Sequence, residues 1–443
     1  MAASLRRRLV AGGSWVFAGK IVTATTNLLV GSLLARLLTT EEFRDYGLAF
    51  SVVTAGSMIA LLGLQHAIVR LVAESLGLER PGRARAAVRL AFRWVSLGIV
   101  LASAFLWLGG WAWLAQDVWR SRALAGALAA ITVWLGVSGL QVLTSETFRG
   151  FKDLRLASTF GGVITGVLFA AVLAGLLAFG RPVTLERAIW VGAGAGAVSV
   201  ACALVVLGRT LARLPRAEPI AAREVLSISM PMWGSGVAAF VLGQSALWII
   251  GAYLPEAEGA LYFAALRVVT LVSTPLILVN LVVPPFVAEL YAAGQLERLQ
   301  RVLRATATLA GIPGFAVLIV FVLFGAFVLQ QVYTPAYREA APVLAWLSLG
   351  YLVNVWTGSC GVTLAMTGHQ STLMSSTVVS GLLSVAGTFL VVQRFGITGV
   401  AVVVCAMVVL QNVWQWLAAR YHTGLWTHAT IPSVRDVRDL FKG

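Results

Sequence analysis

Three basic residues, Lys20, Arg70 and Arg267, stand inside otherwise apolar stretches of the chain. Such a charge costs roughly 2.5–3.5 kcal/mol at the centre of a membrane-spanning helix on insertion scales, so it is expected to face a wet cavity or a partner. On the spans set out below, none of the 18 acidic residues lies deep in a helix. The expectation is therefore a cavity that is cationic and free of carboxylates. Such a cavity selects an anion: guanidinium binds phosphate through paired hydrogen bonds, and ammonium attracts it as a point charge. Lys20 shares a helix face with Thr23 and with Asn27, two turns further on. Thr270 and Thr274 continue the face of Arg267, and Gln244 lies on the preceding helix. Arg70 stands near a helix end, where snorkelling explains it equally well. The candidate substrate-binding residues are thus Lys20, Arg267, Arg70, Asn27 and Gln244.

Other chemistry is hard to build from this chain. It contains no HExxH, CxxC, P-loop or GxSxG motif. Gly192-Ala-Gly-Ala-Gly196 lies in an apolar run and reads as close helix packing by small residues. Cys202, Cys360 and Cys405 are far apart in apolar runs and read as buried packing thiols. His66, His369, His422 and His428 are scattered. No catalytic residue, metal or cofactor is expected. Glu41, Glu42 and Asp45 fall on the first outer loop, where membrane glycosyltransferases with lipid-linked donors often carry acids. Those enzymes need a roomy outer domain, and no outer loop here exceeds about a dozen residues, so these acids read as a solvated loop.

The elements that must position the cations follow from composition. Of 443 residues, 59% are hydrophobic and 12% charged, against about 45–50% and about 25% in soluble domains. That excludes an ordinary soluble protein and, with so little charge, a disordered one. A spanning helix takes roughly 20 apolar residues. Twelve such spans are expected, at 12–34, 46–71, 90–114, 123–144, 157–179, 188–208, 225–252, 260–288, 305–329, 341–366, 373–393 and 398–419. The first follows Arg6-Arg7-Arg8 but is too long for the apolar region of a signal peptide, so it reads as a retained span. Pro231, near Trp233, is expected to interrupt helix 7, and Pro275 and Pro284-Pro285 to interrupt helix 8. Of the 33 Lys and Arg residues, 22 fall on the side of the even-numbered loops and tails and 8 on the other. The positive-inside rule makes the richer side, with both termini, cytoplasmic. Topology thereby accounts for most of the net charge of +15, and no nucleic-acid partner is implied.

The halves resemble each other. Tyr46-Gly-Leu-Ala-Phe-Ser-Val-Val-Thr54 matches Tyr262-Phe-Ala-Ala-Leu-Arg-Val-Val-Thr270, Val72-Ala-Glu74 matches Val287-Ala-Glu289, and Leu78-Glu-Arg80 matches Leu296-Glu-Arg298, at near-constant offset. Six helices per half means that both repeats enter from one side, a parallel repeat of the transporter type. The expected organisation is an N-terminal six-helix bundle over 1–208, a cytoplasmic linker over 209–224, a C-terminal six-helix bundle over 225–420 and a cytoplasmic tail over 421–443.

The run Leu34-Ala-Arg-Leu-Leu-Thr-Thr-Glu-Glu-Phe43, with Tyr46-Gly47 and Leu62-Gly-Leu-Gln-His-Ala-Ile-Val-Arg70, resembles the first two helices of bacterial polysaccharide (O-antigen type) flippases. These belong to the multidrug/oligosaccharidyl-lipid/polysaccharide exporter superfamily. Tyr262-Phe-Ala-Ala-Leu-Arg267, Pro284-Pro285, Gly368-His-Gln370 and Phe395-Gly-Ile-Thr-Gly-Val-Ala401 fit the same pattern. The chain departs from the related lipid II flippases, which usually have fourteen helices. It also carries Phe43-Arg-Asp-Tyr-Gly47 where the family tends to run straight from an acidic-aromatic pair into glycine. The resemblance implies an all-α polytopic membrane protein, two six-helix bundles in a V around a central cavity, and alternating access. It further implies export of an undecaprenyl-pyrophosphate-linked oligosaccharide from the inner to the outer leaflet of the bacterial cytoplasmic membrane. The expected partners are that lipid-linked substrate, membrane lipids and polysaccharide-assembly proteins, with the chain itself a monomer. The rival readings are a cation-coupled multidrug exporter, which would more naturally carry an intramembrane Asp or Glu, and a membrane glycosyltransferase or polymerase, which would need larger outer loops.

Overall fold

The computed structural model describes residues 2–216, 218 and 220–430; most of the expected tail, with Ser433, lies outside the described residues. Among the described residues the regular structure is helical, without strands. In order the helices are α1 Ala2–Leu37, α2 Thr40–Leu61, α3 Leu64–Gly77, α4 Pro81–Phe105, α5 Arg122–Gly126, α6 Leu128–Gly150, α7 Leu154–Ser158, α8 Ile164–Ala178, α9 Leu185–Ala212, α10 Ala222–Tyr253, α11 Glu256–Ala292, α12 Leu296–Val332, α13 Ala341–Thr357, α14 Cys360–Met366 and α15 Gln370–Thr423. Wider π-type turns over Leu106–Gly110 and Trp113–Val118 extend α4, and another over Thr159–Val163 joins α7 to α8.

Ten helices among the described residues are long and apolar enough to cross a membrane, and α2 with α3, bent by 45°, makes an eleventh span. At 1.5 Å per residue the 54 residues of α15 would reach about 80 Å, far beyond a hydrocarbon core of about 30 Å. Gly396 breaks α15 with φ 57° and ψ −156°, so it supplies two spans, and the twelve expected spans are accounted for. Large apolar side chains face outward, among them Leu108 (88% exposed), Phe179 (83%) and Leu390 (77%). Isolated exposed leucines are ordinary on a soluble protein, but rows such as Val100, Leu101 and Phe105 along α4 suit lipid rather than water.

The expected interruptions at the prolines are not seen. α10 runs unbroken through Pro231, and α11 through Pro275 and Pro284-Pro285. In a spanning helix the backbone groups freed by proline can be satisfied by local adjustment and neighbours, so proline need not end it.

The chain forms two compact units that divide between Val241 and Leu242, within α10. The division lies beyond residues 209–224 because that stretch is tied to the N-terminal unit. Arg80 pairs with Glu218 at 2.9 Å, Arg83 with Glu224, and Arg85 donates to the carbonyls of Leu214 and Pro215 at 3.0 and 3.1 Å.

In the N-terminal unit, Leu64, Ile68 and Leu71 of α3, Val88, Ala91 and Val95 of α4, and Leu143 and Phe148 of α6 form a buried core. Glu42, in the first turn of α2, does two things. Its Oε2 accepts from the backbone N–H of Thr39 at 3.2 Å, closing a capping box, while its Oε1 accepts from the N–H of Leu185, the first residue of α9, at 3.1 Å. In the C-terminal unit Glu258 holds the same position in the first turn of α11 and accepts from the N–H of Ile397, just past the break in α15, at 3.4 Å. The two carboxylates are 216 residues apart, the offset that pairs Tyr46 with Tyr262. Each caps the last span of its own unit, where orphan N–H groups and the helix dipole favour an anion.

After α15 the chain returns over the C-terminal unit. Thr427 donates to the carbonyl of Thr357 at 2.6 Å, the N–H of Ala429 to that of Trp356 at 2.8 Å, and the N–H of Thr430 to the Thr308 hydroxyl at 2.9 Å. This strap crosses Gly358, whose φ of 72° and missing Cβ are both needed: a Cβ there would lie 2.4 Å from the carbonyl oxygen of Thr427.

Candidate functional site

Helix packing at one end of the N-terminal unit gathers charges that are distant in sequence. Gly19 lets α1 approach α7 so closely that a Cβ would lie 2.9 Å from that of Ser158. On the other side of α7, the Ser145 hydroxyl of α6 donates to the carbonyl of Ala157 at 2.8 Å. Lys20 and Glu146, the next residue in each case, therefore flank one short helix, and Lys20 is near enough to act on Glu146 electrostatically. Glu146 also pairs with Arg149, one turn on, at 2.9 Å. Gly150 then packs against Ile68, Val69 and Val72 of α3, which sets Arg149 beside that helix. Its charge acts on His66 there, and Arg70, one turn further along α3, pairs with Glu74 at 3.8 Å. Lys20, His66, Arg70 and Arg149 are exposed on this unit, whereas Glu146 is partly buried. Lys20 and Arg149 thus stand by the Glu146 carboxylate on a surface able to receive an anion, with Arg70 one turn beyond His66 on α3.

Of the five candidate residues, Lys20 stands at this cluster, and Arg70 lies on the neighbouring α3, paired with Glu74. Asn27 is exposed on α1, two turns from Lys20. Arg267 and Gln244 belong to the C-terminal unit, both half-buried. Arg267 lies over the Phe263 ring, 5.0 Å from its centroid. Burial pushes the phenol of nearby Tyr333 up, against a smaller opposing pull from Arg267, so Tyr333 stays a donor and bonds the carbonyl of Ala264 at 3.3 Å.

The expectation of a carboxylate-free interior is overturned at two places. The first is Glu146, which was expected in a loop beyond residue 144 but lies within α6. The second is Asp45, expected on a solvated loop. It is 3% exposed inside α2 and accepts from Nε and Nη2 of Arg44, itself 2% exposed, at 2.9 and 2.6 Å, with the Ser121 hydroxyl donating to its other oxygen. Two smaller corrections concern Cys202, which is exposed on α9 while Cys360 and Cys405 are buried, and the histidines. His369 and His422 stack with ring centroids 4.3 Å apart, and His428 packs against Trp356, Trp416 and Trp426. Of the glycine run, Gly192 packs on Phe169 and Gly196 on Val137, while Gly194 meets nothing.

Sequence reasoning missed Arg149 and Glu146 as site residues. Their three-residue spacing was a signal, since it sets two opposite charges on one helix face.

The fold and the apolar exterior define an all-helical, multi-pass membrane protein. The family model described as polysaccharide biosynthesis protein matches residues 9–290, and the chain belongs to that family. No curated protein matches the sequence closely enough to count as a relative. Among solved structures, an inward-facing multidrug resistance MATE family transporter of the MOP superfamily superposes with a TM-score of 0.75 at 13% identity, covering 93% of this chain and 98% of its own. The lipid II flippase MurJ, in an inward closed conformation, gives 0.68 at 12% identity, covering 97% and 90%. A MOP superfamily transporter from Pyrococcus furiosus, whose binding pocket is described as reversed in polarity, gives 0.66 at 15% identity, covering 94% and 95%. These likenesses establish the fold.

Proposed function

We propose that the protein is a flippase that carries an undecaprenyl-pyrophosphate-linked oligosaccharide from the inner to the outer leaflet of the bacterial cytoplasmic membrane, by alternating access, for cell-surface polysaccharide. The observation that carries this reading is the pair of cations Lys20 and Arg149 at one end of the N-terminal unit, with Arg70 on the adjoining helix. On the topology expected from the base asymmetry, with both termini cytoplasmic, that end opens to the cytoplasm, where such a substrate is made. A pyrophosphate offers several oxygens to guanidinium and ammonium donors. Asn27 hydrogen-bonds phosphate or sugar, and Arg267 and Gln244 are candidates for the same chemistry within the C-terminal unit. The prenyl chain stays in lipid, so the cations need to hold only the head group. Membership of a polysaccharide biosynthesis family and the fold of a lipid II flippase support the reading, with polysaccharide-assembly proteins as partners and a monomer as the working unit.

The multidrug exporter is a second reading with an observation behind it. The MATE transporter superposes well, and Asp45, buried near the start of α2, and Glu146, partly buried near the end of α6, are carboxylates within helices that such an exporter could use. Glycan export in cells separates the two. Lys20→Gln should abolish export at matched protein level and Lys20→Arg retain it, with Arg120→Gln as the control. Equal export by the Gln and Arg variants would refute the anion-binding role.

A further inference from the structure

We propose that Glu146 is the internal counter-anion of the Lys20–Arg149 site: it occupies these cations when the site is empty, yields them to an arriving pyrophosphate, and reclaims them to drive release. This rests on the flippase reading above. Three observations carry it. Glu146 touches the site from inside, bonded to Arg149 at 2.9 Å and within electrostatic reach of Lys20. Its backbone is anchored on both sides, by the Ser145 bond to Ala157 and by Gly150 packed on α3, so the side chain can swing while the helix stays. The pair it forms is also weak enough to exchange. The Arg149 side chain is 43% exposed and that of Glu146 20%, and a pair open to solvent on one side contributes less than a fully buried one. A pyrophosphate brings more charge and can take two guanidinium donors at once. Nothing in the rest of the site needs to move for the exchange, and the same three groups serve capture and release. A transporter needs that balance, because a site that holds its cargo too tightly does not let it go.

The prediction is counter-intuitive for a residue that lines a binding site, since removing it should tighten binding. Purified full-length protein in detergent is titrated with farnesyl pyrophosphate, and with inorganic pyrophosphate to separate lipid-linked from free phosphate. Glu146→Gln should bind farnesyl pyrophosphate roughly 2–5-fold more tightly than wild type, the scale of one accessible ion pair, with slower dissociation, while glycan export in cells falls. Glu146→Ala should behave likewise, and Glu146→Asp, which keeps the charge, should resemble wild type. Unchanged or weaker binding by both neutral variants, with wild type binding and Lys20→Gln weakened, overturns the counter-anion role and leaves the flippase reading standing. Should wild type not bind, or Lys20→Gln bind as wild type does, the flippase reading itself fails and this inference with it. Collapse of both neutral variants on purification, with Glu146→Asp intact, would mark the carboxylate as a structural brace and also overturn the proposal.

Discussion

Asp45 is the sharpest test of how the N-terminal unit is held together. Its carboxylate and the Arg44 guanidinium are almost fully buried and bonded to each other, and Ser121 donates to the carboxylate while accepting from the N–H of Leu124 at 3.1 Å. Trp111, also buried, donates its indole N–H to the carbonyl of Leu124 at 2.8 Å. Replacing Asp45 by Ala removes the carboxylate that a buried guanidinium donates to twice. Loss of one partner of a buried pair costs about 3–5 kcal/mol, whereas replacing both by apolar residues of similar volume is often close to neutral. Asp45→Ala should therefore lower stability by about 3–5 kcal/mol, and the double variant Arg44→Met/Asp45→Leu should recover most of that loss. The measurement is reversible unfolding in mixed micelles titrated with sodium dodecyl sulfate, followed by tryptophan fluorescence, for wild type, each single variant and the double. A single variant within about 1 kcal/mol of wild type, the range of an exposed pair, would refute the reasoning. So would a double variant less stable than Asp45→Ala.

Two further outcomes follow from the caps and the strap. Glu258→Ala removes the acceptor for Ile397 N–H and should cost about 0.5–2 kcal/mol, read as faster hydrogen exchange confined to the first turn after Gly396; uniform exchange across α15 would contradict it. His428 is held low chiefly by burial and further by the charge of Arg304, and its Nδ1 accepts from the indole N–H of Trp416 at 3.2 Å, which requires the neutral ring. Because the docked strap binds fewer protons than the released one, docking should be fully present above the usual histidine range near pH 6.5 and be lost as pH falls through the lowered value. Hydrogen exchange over 424–430 measured against pH should show this, and His428→Gln should remove the dependence.

The spans were legible because each is an apolar window of spanning length, and the break at Gly396 because Phe395-Gly-Ile-Thr-Gly399 interrupts such a window. The end of α6 was not. Thr144, Ser145, Glu146 and Thr147 look like a loop, yet the hydroxyls of Thr144 and Thr147 bond back to the carbonyls of Leu140 and Leu143 at 2.6 and 2.7 Å, which lets polar residues continue a helix. Asp45 was illegible for a different reason: its burial depends on Ser121, 76 residues away, and no local pattern carries that contact. The repeat was visible through Tyr46 and Tyr262, both buried. The same offset joins Glu42 to Glu258, a pairing whose meaning appears only once the last span of each unit is in place. Within the candidate site, Lys20 and Arg70 could be read as cations out of place in apolar stretches. Arg149 stands among the bases of a loop in sequence, and only its three-residue spacing from Glu146 marks it.

We propose that cations in the N-terminal unit hold the phosphate of a lipid-linked substrate during its transfer across the bilayer. Transbilayer movement of a pyrophosphoryl-linked oligosaccharide lipid in proteoliposomes, scored by its accessibility to an enzyme added outside, tests it most directly. The wild-type protein should move the lipid, Lys20→Arg should move it nearly as well, and Lys20→Gln should not, despite equal incorporation. Movement by Lys20→Gln at the wild-type rate, or no movement by the wild-type protein, would contradict it.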